Sequence, residues 1–464
     1  MATDNRYIAA SAQGGALKGI RGEMVTFHED PFLIEDESKC YSHYSDGLIV
    51  MQDGKILAAG NYADIYPLYP ELKDIDSYDN SVIIPGMIDT HVHYVQSPMI
   101  GSFGDTLLKW LNQYTFPTEG RFKDPEFAKS VAELFMAQIL KQGTTTANVF
   151  STTFPCSVDA LFTESERYNT RMITGKVLQD RNLPDYLSDK SAEESIEQAA
   201  ELMQRWHGKG RQLYAIIPRF APTSTPRQLE LAGKLYQENL DKGVYMHTHL
   251  DEADDEIEWA LSLYPEAANY TDIYRRYGLL GNRSVFAHCC LVKEEEWQML
   301  HDNDCGIAHC PSSNLFLGDG MFKIWEATAK ERPIHVGVGT DVGAGTNFSL
   351  PRQLNEAYKV AMLRKHSIGA LKSFYMVTKG GARVLHLEDK IGSLEPGFEA
   401  DITVIDQAPT DFLKWRMQFN DFILDLLFIL QTLSPENLIK ATYVAGKKVY
   451  DRDRETQLIH AAEL

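Results

Sequence analysis

Histidine and carboxylate side chains stand at the ends of four short apolar segments of the chain. The first segment ends in His91-Val92-His93. Residues i and i+2 of a strand point to the same face, so both imidazoles can reach one ion. The other segments end in His247-Thr248-His249-Leu250-Asp251-Glu252, in His288 and in Asp341. Imidazole nitrogens and a carboxylate oxygen are the ligands of a zinc-like ion, so this pattern predicts a metal site.

His247 and His249 are also two residues apart, but a catalytic metal keeps one position open for water. We therefore assign only His249, which is nearer the strand end, and expect His247 to pack against or orient its neighbours. Taken singly, an H-x-H pair can be structural, His288 can be a hydrogen-bonded core residue, and Asp341 can cap a turn. Ligand types at four strand ends favour the metal site over these explanations. His309 stays unassigned.

The elements that position these residues alternate along the middle of the chain. Amphipathic stretches such as residues 129–143, KSVAELFMAQILKQG, have apolar side chains at helical spacing and end at a glycine. This alternation predicts an α/β fold built on a (β/α)8 TIM-type barrel, with its active site at the carboxyl ends of the strands. The eight predicted strands begin at Val82, Thr144, Met172, Tyr214, Val244, Ser284, Gly306 and His335.

The two ends of the chain instead contain short strand-like apolar runs separated by turns. GLIVMQDGKILAAG is a pair of apolar runs around Asp53-Gly54, which predicts a hairpin. Short strand-like runs return after Ile391, in GSLEPGFEADITVID and KATYVAGKKVYD. We predict a small β-sandwich domain composed of residues 1–84 and 391–464, with the catalytic barrel between them in residues 85–390.

Composition and charge exclude several classes of protein. The 464 residues carry 45 basic and 65 acidic side chains, a net charge of −20, which argues against a nucleic-acid partner. Six cysteines without a C-x-x-C pair indicate reduced thiols. The opening MATDNRYIAASAQGG has no secretion signal, and the apolar run FILDLLFIL is too short to cross a bilayer. We expect a cytoplasmic protein without a membrane or nucleic-acid partner.

Five motifs together resemble the amidohydrolase superfamily, and in particular its aminohydrolase branch. They are PGMIDTHVH, HTHLDE, AHC, GTD and GSLEPGFEADITVID, and the resemblance covers nearly the whole chain. Finer segments are similar to the guanine deaminase family, above all LLKWLNQYTFPTEGRF, PRFAPT, AHCPSSN and GTDVGAG. The first of these is the most discriminating, because other amidohydrolases have different loops there.

The resemblance implies a role for each matching residue. His91, His93, His249 and Asp341 would hold one metal ion per subunit, Zn²⁺ with Fe²⁺ as the alternative. Glu252 would shuttle protons, Asp341 would take part in catalysis as well as metal binding, and His288 would contact water or substrate. Gln96, Arg219 and Phe220 match positions that hold a purine, and Trp110 lies in the loop that closes the pocket. Asp251 departs from the family, which has a serine-type residue there.

The implied reaction is hydrolytic deamination of guanine to xanthine and ammonia by a metal-activated hydroxide, in a homodimeric enzyme of guanine catabolism. Arg219 suits a purine carbonyl because its guanidinium offers several donors in one plane, and the Gln96 amide matches a base edge. Alternatives are an aminohydrolase for another purine, a pyrimidine or a triazine, or a non-catalytic scaffold. A binuclear hydantoinase-like enzyme would need a lysine on strand four, where this chain has YAIIPRFAPT.

Overall fold

In the computed structural model, residues 15–104 and 106–454 are described, and their strands form two sheets. The first 14 residues, for which we predict no secretion signal, lie outside this part, so that prediction is not tested. The strands are β1 Lys18–Phe27, β2 Tyr41–Gln52, β3 Lys55–Asn61, β4 Asp74–Pro85, β5 Met87–His93, β6 Thr144–Phe150, β7 Arg171–Gly175, β8 Val177–Leu178, β9 Leu213–Pro218, β10 Tyr245–Leu250, β11 Ser284–His288, β12 Gly306–His309, β13 His335–Val338, β14 Ile402–Asp406, β15 Ile439–Val444 and β16 Lys447–Asp451.

The middle of the chain forms a parallel barrel with strand order β5-β6-β7-β9-β10-β11-β12-β13, and β8 continues the line of β7 beside β9. The gap between the first and last strands is bridged at their carboxyl ends, where the backbone N–H of Asp341 donates to the carbonyl of His91 at 2.9 Å. The barrel part of the predicted fold class is confirmed. Helices on the outside cover strands that are buried along their length.

The helices that separate these strands include the predicted amphipathic segment. Residues 129–143 lie mostly within the helix α4 (Pro125–Lys141), whose amino-terminal cap is Asp124. The α-helices are α1 Tyr62–Ile65, α2 Leu107–Trp110, α3 Phe116–Glu119, α4 Pro125–Lys141, α5 Pro155–Tyr168, α6 Ala192–Trp206, α7 Pro226–Gln237, α8 Asp254–Leu263, α9 Tyr270–Arg276, α10 Glu294–Asp302, α11 Pro311–Leu317, α12 Ile324–Ala327, α13 Leu350–Leu363, α14 Ala370–Met376, α15 Lys379–Val384, α16 Asp411–Arg416 and α17 Ile423–Leu433.

The predicted first barrel strand was wrong in its first half. Residues 82–85 belong to β4, which pairs with β14 outside the barrel, and the barrel strand β5 begins at Met87. Gly86 separates the two. A Cβ atom at this position would lie 2.3 Å from Oγ1 of Thr145, so only glycine lets the backbone pass this close. A continuous apolar run therefore serves two different sheets.

The second sheet is built from both ends of the chain, as predicted. Its seven strands within the described residues have the order β16-β15-β14-β4-β1-β2-β3. The hairpin between β2 and β3 turns at Asp53 and Gly54, whose φ angles of 50° and 78° are those of the predicted two-residue turn. Apolar clusters cover both faces of this sheet.

The exact division between the domains, at 84/85 and 390/391, remains our proposal. The helix α17 lies within the carboxyl-terminal segment but packs against α13 and α14 of the barrel, for example through the rings of Tyr358 and Phe428 at 4.9 Å. None of the helices in the described ranges combines the length and the apolar character needed to cross a lipid bilayer.

A buried ion cluster joins the second sheet to the amino-terminal end of the barrel. Arg171 and Arg211 each approach Glu399 at 2.6 Å, and Arg211 also pairs with Asp401. The arginines lie at the starts of barrel strands, and the carboxylates lie just before β14. This cluster is at the opposite end of the barrel from the side chains described next.

Candidate active site

The predicted metal ligands meet at the carboxyl end of the barrel. Nε2 of His91 lies 3.2 Å from Oδ1 of Asp341, and Nε2 of His93 lies 3.5 Å from the same oxygen. Nε2 of His93 is 3.1 Å from Nε2 of His249. All four side chains are buried. Strands β5 and β10 carry the histidines at their ends, and Asp341 follows β13, so three separate strands aim these groups at one point.

Neighbouring groups fix the orientation of these imidazoles. Nδ1 of His249 donates to the backbone carbonyl of Arg219 at 2.6 Å, because a carbonyl can only accept. Nε2 of His249 therefore carries a lone pair and faces the cluster. Nδ1 of His91 lies 2.8 Å from Nε2 of His247. This contact gives His247 the orienting position expected for it, beside a candidate ligand.

The four histidines of strands β5 and β10 are suited to binding a cation. Burial is the largest cause that lowers the pKa of each one well below its ordinary value, so the rings are neutral. A neutral imidazole is the form that ligates a metal ion. Nε2 of His91 is buried and makes no hydrogen bond with the described residues, which leaves its lone pair for a ligand role.

The donor atoms fall into two overlapping groups, in each of which they lie within 4.8 Å of one another. One group is His91, His93 and His249, and the other is His91, His288, Cys310 and Asp341. The donor set fits a zinc-like ion. Sequence reasoning missed Cys310, because a single cysteine in AHCPSSN carries no spacing signal. Burial raises the pKa of the Cys310 thiol well above its ordinary value, which disfavours the thiolate form that binds metals.

Glu252, Asp341 and His288 form an acid–base group beside the histidines. Oε1 of Glu252 lies 3.4 Å from Nδ1 of His288, and Nε2 of His288 lies 3.8 Å from Oδ2 of Asp341. Burial, and then the nearby carboxylates of Glu256 and Asp341, raise the pKa of Glu252 well above its ordinary value. Burial also raises the pKa of Asp341 to about 6. Two carboxyl groups with raised pKa values on either side of an imidazole form an arrangement that can accept and donate protons.

Backbone conformation at this group is unusual. His288 and Asp341 have φ angles of 72° and 47°, in the left-handed region that residues other than glycine rarely adopt. Both residues directly end or follow barrel strands. Such strained positions cluster at functional sites, where the surrounding fold holds them.

A cavity opens above these residues, and its walls contain nine of the ten side chains that the sequence singled out. His91, the tenth, lies beside them through its contact with Asp341. The lining residues are His93, Gln96, Leu107, Trp110, Leu111, Arg219, Phe220, His249, Glu252, His288, Leu317, Asp341 and Ala344.

Behind the polar wall of the cavity, in contact with two of its lining residues, is one residue that sequence reasoning missed. Glu119 is fully buried, and its Oε2 accepts from Nη1 of Arg219 at 2.7 Å. Its Oε1 accepts from Nε2 of Gln96 at 3.1 Å. One carboxylate thus holds both polar candidates for substrate binding. The signal available in the sequence was a lone glutamate in FPTEGRF, which reads equally well as a surface residue.

Glu119 belongs to the segment 107–123, which contains the stretch 107–122 that the resemblance singled out. It consists of α2, a π-helical turn at Leu111–Thr115, α3 and a 3-10 turn at Gly120–Lys123. Such π turns within helical segments are frequent at functional sites. Trp110 faces the cavity while its indole N–H donates to the carbonyl of Ser102 at 3.1 Å. The ring thus supplies an apolar wall and has its donor already engaged.

Comparisons with known proteins agree with this geometry. The model of the Amidohydrolase family matches residues 82–449. The chain belongs to the amidohydrolase family. A curated relative, guanine deaminase of Escherichia coli K12, is 44% identical over 437 residues, which are 94% of this chain and 98% of the relative. Guanine deaminase of Homo sapiens is 32% identical over 82% of this chain and 85% of its own length.

Solved structures extend the comparison to three dimensions. The structure of E. coli guanine deaminase superposes on this amidohydrolase chain with a TM-score of 0.91 over 94% of this chain and all of the other, at 44% identity. The guanine deaminase of C. acetobutylicum, solved with guanine bound in its active site, gives a TM-score of 0.83 with the same coverage at 29% identity.

The remaining histidine of the sequence analysis has a separate setting in this amidohydrolase. His309 stacks on Phe322 with ring centroids 4.6 Å apart and is not among the residues that line the cavity. Lys176, a buried lysine between β7 and β8, pairs with Asp189 and is therefore already engaged. These contacts are consistent with a single cation site at the strand ends.

Proposed function

We propose that the protein is a guanine deaminase, which hydrolyses guanine to xanthine and ammonia. The observation that carries this proposal is the 44% identity to a guanine deaminase across nearly the full length of both chains. A cavity that joins acid–base groups to a polar wall of Arg219 and Gln96 agrees with it.

We propose that one metal ion, Zn²⁺ with Fe²⁺ as the alternative, is held by His91, His93, His249 and Asp341. The unpartnered Nε2 of His91 and the close approach of Nε2 of His93 to Nε2 of His249 support this ligand set. The ion, when bound, would supply a water molecule whose pKa is lowered to about 7. His247 keeps the His91 ring in its orientation, and the Arg219 carbonyl does the same for His249.

Two carboxyl groups then carry the protons. Asp341 accepts a proton from the attacking water as the new bond to C2 of guanine forms. Glu252, whose pKa burial raises, delivers a proton to the ring nitrogen that receives the electrons of the broken C=N bond. Asp341 then passes its proton to the amino group, the C2–N bond breaks and ammonia leaves, while the hydroxyl at C2 returns its proton to Glu252 as the carbonyl forms. His288 lies between both carboxyl groups and orients water or substrate.

The substrate is held by the opposite wall of the cavity. The Arg219 guanidinium has donors only and faces the purine carbonyl, while the Gln96 amide offers both a donor and an acceptor to the base edge. Phe220 and Trp110 supply apolar contact, and both line the cavity. An adenine-like, pyrimidine or triazine substrate would present different groups to Arg219.

We propose that the protein is a homodimer that uses an exposed aromatic patch on residues 411–422. Its rings are more than half exposed: Phe412, Trp415, Phe419 and Phe422. Its charged residues, two of each sign, are Asp411, Lys414, Arg416 and Asp421. In a chain with a net charge of −20, a locally neutral apolar patch is where two copies repel each other least. Light scattering should give a dimer for the parent and a monomer for Trp415→Glu, and an unchanged mass would exclude this interface.

We also propose a cytoplasmic location. All six cysteines lie in the described part of the chain, and there none forms a disulfide. Unpaired thiols suit a reducing compartment. Fractionation of cells that express the tagged chain tests this location.

A panel of purines and pyrimidines scored for ammonia release tests the activity. We expect guanine to be the preferred substrate and the protein to contain close to one metal ion per chain. Absence of release from guanine by metal-loaded protein would contradict the proposed function, and it would favour a non-catalytic scaffold if no other base reacted.

A further inference from the structure

Glu119 is a fully buried carboxylate that the reaction scheme above does not use. It contacts no reacting group, but it reaches both polar residues proposed to hold the base, at 2.7 Å from Arg219 Nη1 and 3.1 Å from Gln96 Nε2. Arg219 and Gln96 are each 3% exposed. The carboxylate is therefore in a position to set both the charge and the geometry of the substrate wall.

The charge of this wall depends on the pair between Glu119 and Arg219. A guanidinium that is buried without its partner would bind another anion more tightly, because otherwise nothing compensates the free-energy cost of its desolvation. Guanine is neutral at physiological pH. Xanthine, in which a second carbonyl replaces the amino group, loses a ring proton more readily than guanine does. An unneutralised Arg219 would thus favour the ionised product over the neutral substrate.

The geometry of the wall depends on the contact between Glu119 and Gln96. An ionised carboxylate only accepts, so the amide nitrogen of Gln96 must face it. The amide oxygen then lies toward Gly343, where a Cβ atom would be only 2.0 Å from Oε1. Gly343 has a φ of 126°, which L residues rarely adopt. The side-chain amide of Gln96 therefore lies between the Glu119 carboxylate and Gly343, and it can present only one orientation to the edge of a base.

We propose that Glu119 is a positioning and specificity-determining residue that neutralises Arg219 and orients Gln96, so that the cavity prefers the neutral base and releases the more acidic product. This inference rests on the proposed guanine deaminase function. The segment 107–123 would then do more than close the pocket, because its Glu119 carries the negative charge that neutralises Arg219 and limits product inhibition.

The test compares the parent with Glu119→Gln, which keeps the size of the side chain and removes its charge. We measure kcat and KM for guanine, the inhibition constant of xanthine between pH 6 and 9, metal content and thermal stability. We expect the metal content to stay unchanged. We expect KM for guanine to rise by about tenfold and the xanthine inhibition constant to fall by about tenfold, because the free energy of a charge-assisted hydrogen bond exceeds that of a neutral one by an amount that corresponds to about tenfold in binding. The tightening should grow as pH rises and xanthine ionises.

The ionisable groups that line the cavity are the same in both proteins, so the difference between the two pH profiles isolates the contribution of Glu119. These groups are His93, Arg219, His249, Glu252, His288 and Asp341. Glu119→Asp keeps the charge on a shorter side chain, and we expect it to raise KM while xanthine inhibition stays near that of the parent. In the double variant Glu119→Gln/Arg219→Gln, the tighter binding of xanthine should disappear.

Asp189→Asn is the matched control. It removes the counter-charge of another buried cation, Lys176, outside the cavity. We expect it to lower thermal stability without changing the ratio of the xanthine inhibition constant to KM.

An unchanged ratio in Glu119→Gln, or the same change in Asp189→Asn, would overturn the proposal. If Glu119→Gln does not fold, tighter xanthine inhibition in Glu119→Asp would overturn it instead. Failure of the parent to deaminate guanine would contradict the proposed function, whereas failure of the variant pattern in an active parent would contradict only the role of Glu119.

Discussion

The backbone carbonyl of Arg219 accepts a hydrogen bond from Nδ1 of His249 at 2.6 Å, while the guanidinium of Arg219 lines the cavity. One residue at the end of β9 therefore serves both halves of the site. Its main chain orients a candidate metal ligand, and its side chain faces the cavity. The two functions are separable by mutation, because a side-chain substitution leaves the carbonyl in position.

Arg219→Ala should therefore retain the metal and lose affinity for guanine. Removing the donors leaves a purine carbonyl unpaired, which costs about 1–3 kcal/mol and raises KM accordingly. Metal analysis and steady-state kinetics on guanine check both parts. Because Glu119 would also lose its partner, Arg219→Lys, which keeps the charge, is the control for stability. Unchanged guanine kinetics in Arg219→Ala, or loss of the metal, would mean that the pocket has been misinterpreted.

His91→Ala and His93→Ala should each lose the metal ion and nearly all activity. Removing one ligand takes away both affinity and geometry from a site of few donors. Metal content measured by atomic spectroscopy, alongside ammonia release, gives the result. His309→Gln is the matched control, since His309 is equally buried but stacks on Phe322 away from the cavity. Full metal occupancy with normal turnover in either alanine variant would refute the ligand assignment.

Glu252→Gln should bind metal and purine normally but turn over far more slowly. The amide has the shape of the carboxyl but cannot donate and recover a proton, and positioned acid–base groups contribute about 10²–10⁴-fold. Pre-steady-state measurement of the chemical step, together with the dissociation constant of xanthine, separates binding from chemistry. A rate within a few-fold of the parent would show that Glu252 is not the proton shuttle.

Glu399→Gln should weaken the attachment of the terminal sheet to the barrel. Burial raises the pKa of Glu399, but Arg211 and Arg171 outweigh it, so the net pKa is lowered from its ordinary value. A carboxyl with a lowered folded-state pKa contributes stability that is present above its unfolded pKa and is lost as pH falls through the folded value. We expect a loss of about 1.5–3 kcal/mol at pH 7, from hydrogen bonds to charged groups.

Thermal unfolding of parent and variant at several pH values measures this effect. The two curves should converge as the pH falls below about 4, the ordinary pKa of a glutamate. Glu164→Gln is the control, because Glu164 pairs at 2.8 Å with the half-exposed Arg167 of the same helix and links no two parts of the fold. A constant difference between Glu399→Gln and the parent down to pH 3 would contradict the ion-cluster explanation.

Periodicity in the sequence predicted the barrel and the candidate metal ligands, whereas the candidate substrate contacts came from the family resemblance. The i, i+2 spacing of His91 and His93 predicted two imidazoles on one face, and the end of the last strand predicted the position of Asp341. Such features depend on local geometry, which adjacent residues determine. The separation of β4 from β5 was not predictable in the same way, because both halves of the apolar run are buried and only the close approach of Gly86 to Thr145 divides them.

The role of Glu119 was not visible in the sequence for a different reason. Its partner Arg219 is 100 residues away, and the contact exists only after the segment 107–123 has folded over the strand ends. Cys310 likewise joins the donor group only through tertiary structure. Long-range pairing of charges carries no periodic signal, so a single sequence cannot separate a buried counter-charge from a surface glutamate.

The choice between guanine and adenine tests the central claim most directly. Adenine carries an amino group where guanine carries the carbonyl that Arg219 is proposed to hold, and it has no amino group at C2. We predict that the metal-loaded parent releases one ammonia and one xanthine per guanine, and that adenine reacts hardly at all, when both bases are followed side by side by ammonia assay and chromatography. Efficient deamination of adenine, or no ammonia from guanine, would contradict this account.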